Sequence, residues 1–251
     1  MSDSQARIAV ITPYCGESIE VLRQCHDSVL AQEQHGVQAD HILVADGRAN
    51  EAVDGWQAHH IVLPHVHADN GNTPRAVGSV VAETEGYDFI AYLDADNWFH
   101  PGHLRSLLDL REATKVPVTC AWRTFHRLDG MVMEISEADE NSFQHVDTSC
   151  YLIHRSAFAC TSCWYRMPKP LSPLCDRIFF RALKNSRWGM AFTGRRTVAF
   201  RSQYENHYRA IGQEPPPNAK TDRDLAPCVE YLRSVSGINE TVEKLGFWPS
   251  S

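Results

Sequence analysis

Phe89-Ile90-Ala91-Tyr92-Leu93 is apolar without interruption and stops on Asp94-Ala95-Asp96. A strand covered on both faces needs no polar alternation, so this run predicts a strand inside a sheet that delivers acidic groups to its carboxyl end. The pattern recurs. Arg7-Ile8-Ala9-Val10-Ile11-Thr12 precedes Pro13 and Tyr14, Ile42-Leu43-Val44 runs into Asp46-Gly47, and Ile61-Val62-Leu63 is stopped by Pro64. Between these runs lie stretches of helical period: Ile19, Leu22, Cys25 and Val29, then Val77, Val80 and Val81 after Arg75, then Leu104, Leu107 and Leu108 after Pro101. Such alternation predicts an α/β fold with a mostly parallel central sheet flanked by helices. Ligands of that architecture lie beyond the carboxyl ends of the strands, where Tyr14, Asp46 and the Asp94/Asp96 pair fall.

After residue 117 the pattern loosens. Residues 118–122 and 131–135 read as strands of a small antiparallel element, and Cys150-Tyr151-Leu152-Ile153 as another strand. Ile178, Phe179, Ala182 and Leu183 predict a helix after Asp176, and residues 197–200 a late strand. Glu214-Pro215-Pro216-Pro217-Asn218 is a stiff connector, and residues 225–245 form a helical tail with a break near Gly237. The expected organisation is one domain over residues 1–213, with halves 1–117 and 118–213, followed by a connector and tail over 214–251.

Composition narrows the function classes. Hydrophobic residues at 43% are enough to bury a core. Lys plus Arg number 24 against 31 Asp plus Glu, a net charge of −7, so the broad positive field of a nucleic-acid binder is missing. No apolar run approaches the about 20 residues of an integral membrane segment. Met1-Ser2-Asp3-Ser4-Gln5 lacks a basic, apolar leader, and eight cysteines in such a chain favour reduced thiols and a cytoplasmic setting.

Asp94-Ala95-Asp96 carries the chemistry. Side chains two apart in an extended segment point the same way, and two converging carboxylates disfavour joint ionisation. A hard divalent cation removes that cost, and Mg²⁺ or Mn²⁺ suits carboxylate plus phosphate oxygens. The competing reading is a capped turn in which Asp96 or Asn97 satisfies backbone groups.

Ile8-Ala9-Val10-Ile11-Thr12-Pro13-Tyr14, and Asp94-Ala95-Asp96 with Trp98 and Pro101, resemble the opening strand and the D-x-D segment of family 2 glycosyltransferases of the GT-A fold. The resemblance covers the first 110 residues or so and thins afterwards. It implies a Rossmann-like nucleotide-sugar half, a divalent metal and inverting sugar transfer from a nucleotide-diphospho sugar, UDP-linked in preference to GDP-linked. The acceptor is a saccharide or other hydroxyl, and a homodimer is an open assembly.

Carried over by residue, the resemblance assigns Thr12, Pro13, Tyr14 and Glu17 to the nucleoside loop and Asp46 to a base N–H. It places Arg75 on the diphosphate, Asp94 and Ala95 on the donor, and Asp94, Asp96 and His207 on the metal. The block around Arg75 departs from the family pattern, with Ala76 where Asn is usual, and Ala45-Asp46-Gly47-Arg48 has one acidic residue where two are frequent. Leu174-Cys175-Asp176-Arg177 resembles the segment that supplies the general base, with Cys175 in place of Glu. Asp176 is thus the expected base, with a salt bridge to Arg177 as its bland alternative and Asp147 as the competing carboxylate.

Other readings stay open. A nucleotidyltransferase would want a Gly-rich basic loop where Pro13-Tyr14-Cys15-Gly16-Glu17 stands, and a phosphatase would want its acid pair after the first strand. A non-catalytic nucleotide- or carbohydrate-binding protein on a transferase scaffold is kept alive by Cys175. Cys160-x-x-Cys163 lacks the second C-x-x-C of a zinc site, and buried thiols beside Phe158 and Trp164 are the simpler account.

Overall fold

The computed structural model describes residues 6–135 and 145–249, without the side chain of Asp222; the Met1–Gln5 opening lies outside the described residues. The first half is built from β1 (Ile8–Tyr14), α1 (Ile19–Leu30), β2 (Ala39–Ala45), β3 (His59–Val62), α2 (Asn72–Thr84) and β4 (Phe89–Tyr92). All seven residues of β1 and all four of β4 are buried, as their unbroken apolar sequences require. β1 pairs in parallel with β2 on one side and with β4 on the other. Thr12 on β1 meets Cys25 of α1, whereas its neighbour Ile11 packs under Gly78 of α2. Consecutive strand residues face opposite ways, so the two helices cover opposite faces of the sheet.

β5 (Trp98–Phe99) and α3 (His103–Thr114) complete the first half, and the second contains β6 (Val118–His126), β7 (Val132–Met133) and β8 (Tyr151–His154). There follow α4 (Ser162–Arg166), α5 (Cys175–Asn185), β9 (Met190–Arg201) and α6 (Glu205–Ala210). The strand order among the described residues is β3-β2-β1-β4-β8-β6-β9-β5, with β7 on β6. Parallel pairing holds across β3-β2-β1-β4. β8 is antiparallel to both β4 and β6, β9 is parallel to β6, and β7 folds back on β6. The antiparallel element is therefore continuous with the main sheet.

One face of β4 is anchored by Tyr92. Its hydroxyl bonds Ser79 of α2 at 2.7 Å and accepts from the Trp164 indole of α4 at 2.9 Å. Phe179 of α5 stacks on Trp164 with ring centroids 4.2 Å apart. α5 buries Ile178, Phe179, Phe180 and Leu183, each worth about 1.5–3 kcal/mol of apolar transfer.

The tail is α7 (Ala226–Arg233) and α8 (Val235–Leu245). The break falls at Ser234, whose hydroxyl caps α8 by accepting the Gly237 N–H at 3.0 Å. Tyr231, Leu232, Leu245 and Phe247 pack against the main core. The connector is also tied down: Lys220 forms a parallel bridge with Tyr204, and its N–H donates to the Gln203 carbonyl at 2.7 Å. Among the described residues no helix is long and apolar enough to cross a membrane, and no disulfide joins the eight cysteines.

Candidate functional site

β1 is the strand where connections turn to both sides, and its pairing with β4 stops at Ile11↔Tyr92. Open α/β sheets bind ligands in the crevice outside the carboxyl ends of such strands. Asp94 and Asp96 leave β4 into this crevice. Their turn is held from three sides. The Asn97 N–H donates to the Asp94 carbonyl at 2.9 Å, and the Asp94 N–H donates to Ser149 Oγ at 3.2 Å. The buried Asn97 amide donates to Ser149 and accepts the Arg201 N–H at 3.0 Å, stitching the end of β4 to the end of β9.

The two carboxylates are treated differently. Asp94 Oδ1 accepts from Arg75 Nη2 at 2.5 Å and keeps a side chain 29% exposed. Arg75 itself is buried: Nη1 donates to the Asn70 carbonyl at 2.7 Å, and the guanidinium lies 5.3 Å from the Trp164 ring centroid. Burial alone would lower its pKa, but Asp94 more than offsets this and holds Arg75 charged. Gly71, at φ +80°, makes the approach feasible, because a Cβ there would sit 3.0 Å from the Pro13 ring and 3.1 Å from Arg75 Nη1. Asp96 has no such partner. Burial, then the Asp94 charge, push its carboxyl up to about 7, against the opposing pull of Lys220. Gln203 Nε2 donates to its Oδ2 at 3.5 Å.

This donor set is oxygen-only, partly desolvated and short of positive charge, which fits a hard divalent cation that takes one or two carboxylates and completes its shell from phosphate and water. It does not form a cage: among the described residues no three His, Cys, Asp or Glu side chains gather for a metal. His207, on α6, bonds Ser202 Oγ through Nδ1 at 2.7 Å and packs against Phe125 and Tyr204. It is not gathered with Asp94 and Asp96.

The nucleoside-side residues are mostly turned inward. Thr12 is fully buried, and its hydroxyl bonds His41 Nε2 at 2.8 Å. His41 in turn meets His26 at 2.9 Å between Nδ1 atoms. Burial holds both imidazoles below their ordinary range, His41 far below. Tyr14 is 2% exposed and packs with Leu22, Leu43 and Ala95; its hydroxyl bonds His60 Nε2 at 2.6 Å and accepts the Asn50 N–H at 3.1 Å. Its ring is thus a wall of the fold, with no open face for stacking. Asp46 accepts the N–H groups of His67 and Ala68 and bonds His67 Nδ1 at 2.6 Å, so it clamps the loop after β3. The Asp46-Gly47 turn is obligatory, because a Cβ on Gly47 would lie 2.4 Å from the His65 backbone carbon. Glu17 accepts the Cys15 N–H at 2.5 Å and shapes the loop after β1. Pro13 lines the same crevice edge beside Gly71.

On the other side of the crevice α5 opens with Asp176. Its Oδ2 pairs with His145 Nε2 at 2.5 Å, and its Oδ1 accepts the Arg177 N–H at 2.7 Å. Burial would raise this carboxyl, but His145 and the Arg177 donor hold it well below the usual carboxylate range. Asp176 is 30% exposed, whereas Asp147 is 7% exposed and locked to Arg123 at 2.6 Å. Cys175 sits between the Asp94/Arg75 pair and Asp176, its thiol pushed up to about 12 by burial. Tyr204 and Lys220 close this side, the ammonium 5.6 Å from the Tyr204 ring centroid.

His145, Ser149 and Lys220 were not singled out from the sequence; each reaches the site from a distant stretch of chain, and no local spacing marks them. Asn97, named in the capped-turn reading, does satisfy backbone groups there, with its N–H on the Asp94 carbonyl and its amide oxygen on the Arg201 N–H.

The Glycosyl transferase family 2 model matches residues 9–172. A search of curated proteins gives no match. The fold is similar to S. aureus TarS. Residues 1–349 of TarS in complex with UDP align at TM-score 0.58 and 12% identity, over 95% of this chain and 70% of that one. The same fragment with UDP-GlcNAc gives 0.56 and 11%, over 95% and 71%. The longer TarS structure gives 0.57 and 13%, over 95% of this chain and 43% of that chain.

Proposed function

The chain belongs to glycosyl transferase family 2, and from that premise we propose that it moves a sugar from a nucleotide-diphospho sugar to an acceptor hydroxyl, with inversion at the anomeric carbon. The observation that carries this reading is the Asp94/Asp96 pair at the end of β4, where burial and then the Asp94 charge lift Asp96 to about 7. The UDP and UDP-GlcNAc held by TarS on the same fold favour a UDP-linked donor over a GDP-linked one. Asp94 and Asp96 would hold Mg²⁺ or Mn²⁺, which when bound neutralises charge on the diphosphate leaving group.

The chain's own residues do the rest. Arg75 fixes the orientation of Asp94 from below, and so acts through it on the donor. Lys220 adds positive charge on the crevice side facing Asp96. Gly71, Pro13 and the loop from Tyr14 to Glu17 shape the nucleoside edge, and Asp46 holds the loop that closes it. Asp176 takes the proton from the acceptor hydroxyl as that oxygen's electron pair forms the new bond to the anomeric carbon. The old carbon–oxygen bond breaks, and its electron pair leaves with the nucleoside diphosphate. Asp176 is favoured over Asp147 because its carboxylate is open to the crevice, while Asp147 is committed to Arg123.

The test is UDP release from UDP-sugars in Mn²⁺, in EDTA, and with Asp96→Ala. Turnover in Mn²⁺ that EDTA and the substitution each abolish is the expected result. Undiminished turnover in all three removes the metal role and leaves the family membership untouched.

A further inference from the structure

The contact between Asp176 and His145 joins residues 31 apart in sequence through the shortest type of side-chain hydrogen bond the site contains, 2.5 Å from Nε2 to Oδ2. His145 is 5% exposed, so this imidazole is not a surface group that happens to lie near an acid. We propose, resting on the reading of Asp176 as the base, that His145 is its positioning residue: Nε2–H fixes the carboxylate so that its remaining lone pairs face the acceptor hydroxyl.

The geometry supports this in two ways. An ionised carboxylate offers about four acceptor directions. Here one on Oδ2 is taken by His145 and one on Oδ1 by the Arg177 N–H, which leaves no rotation about the carboxylate axis without breaking both bonds. The Asp176 side chain keeps 30% of its surface exposed. The competing carboxylate has a different partner: Asp147 is held by a guanidinium, which is always charged. An imidazole changes charge in the ordinary working range of enzymes.

That difference has a kinetic consequence. A charged imidazolium beside Asp176 stabilises the ionised carboxylate and weakens it as a base; a neutral imidazole keeps the hydrogen bond without that penalty. Burial raises Tyr151, Tyr204 and Cys175, the last two to about 12, so these three neighbours stay protonated. In the step itself the acceptor O–H bond breaks and its proton lands on Asp176, while His145 keeps its own Nε2–H throughout.

The experiment measures kcat and KM for UDP release from UDP-N-acetylglucosamine in Mn²⁺, with water as acceptor, from pH 5.5 to 9. The proteins are the wild type, Asp176→Asn, His145→Ala and His145→Gln. Asp176→Asn is expected to lower kcat by about 100-fold or more, and His145→Ala by about 10- to 100-fold with KM within about twofold. Gln supplies an N–H to the same carboxylate, so His145→Gln restores most of kcat. A second readout needs no turnover: the hydrogen-bonded Nε2–H proton of His145 gives a far-downfield NMR resonance in the wild type that Asp176→Asn removes. If Asp176→Asn is dead but both His145 variants match the wild type, the positioning role is wrong and the base assignment stands. If Asp176→Asn turns over like the wild type, both fall. A His145→Gln variant no better than His145→Ala, or a wild type without the resonance, also overturns the inference.

Discussion

Asp96→Asn should make the metal-free protein more stable at pH 8, although it removes a proposed metal ligand. The carboxyl moves from an ordinary 3.8 to about 7 in the folded chain because it is buried beside Asp94. Between those two values the folded state binds a proton that the unfolded state has lost, so stability falls as pH rises from about 4 to 7 and levels off above. A shift of that size is worth at most about 4 kcal/mol. Asp96 is only partly buried by surface area, so about 2–4 kcal/mol is a reasonable expectation, or about 2–4 °C in Tm for each kcal/mol in a domain of this size. The assay is thermal unfolding in EDTA from pH 5 to 8.5. The wild type should lose stability across this range more steeply than Asp96→Asn, and the variant should have the higher Tm at pH 8. Mn²⁺ with UDP should then restore the wild type, because a ligand bound only by the folded state stabilises it, and should leave the variant nearly unmoved. If the two proteins share one pH profile, or the variant is the weaker at pH 8, the desolvated, charge-poor carboxylate described above is not there.

Arg123→Met should destabilise the protein by about 3–5 kcal/mol in urea unfolding, because it strands the Asp147 carboxylate in a buried site; the double variant with Asp147→Asn should recover much of that loss. Thr12→Val, nearly the same shape, removes the hydroxyl from His41 Nε2 and should cost about 1–3 kcal/mol. Burial keeps His41 far below its ordinary range, so the folded state refuses a proton that the unfolded chain accepts below about 6.5. Stability should therefore fall as pH drops through 6.5, and His41→Gln should soften that decline.

The sequence made the first half of the sheet legible because β1 and β4 are buried on both faces, and a run of apolar residues has few other uses. β9 was seen only at its apolar end: its first residues, Met190 to Arg196, are partly or fully exposed and carry no strand signal. α2 starts at Asn72, ahead of Arg75, because the left-handed Gly71 caps it, so Arg75 is buried in a first turn and grips Asp94 from beneath. Periodicity shows that Thr12 and Tyr14 share one face of their strand; it does not show that His41 and His60 are waiting there to take both hydroxyls. The acid pair was visible as a motif, and its unequal electrostatics were not, since Arg75, Lys220 and Gln203 come from three separate stretches. The pairing of His145 with Asp176 is likewise a product of tertiary folding alone.

The backbone bridge from Tyr204 to Lys220 makes the final stretch of chain a structural pane of the reaction chamber, not a detachable handle. Trimming the protein at its proline-rich stretch would strip a cation from the side of the acid pair. It would also uncover the apolar seat of Tyr231, Leu245 and Phe247, so solubility and turnover would fail together.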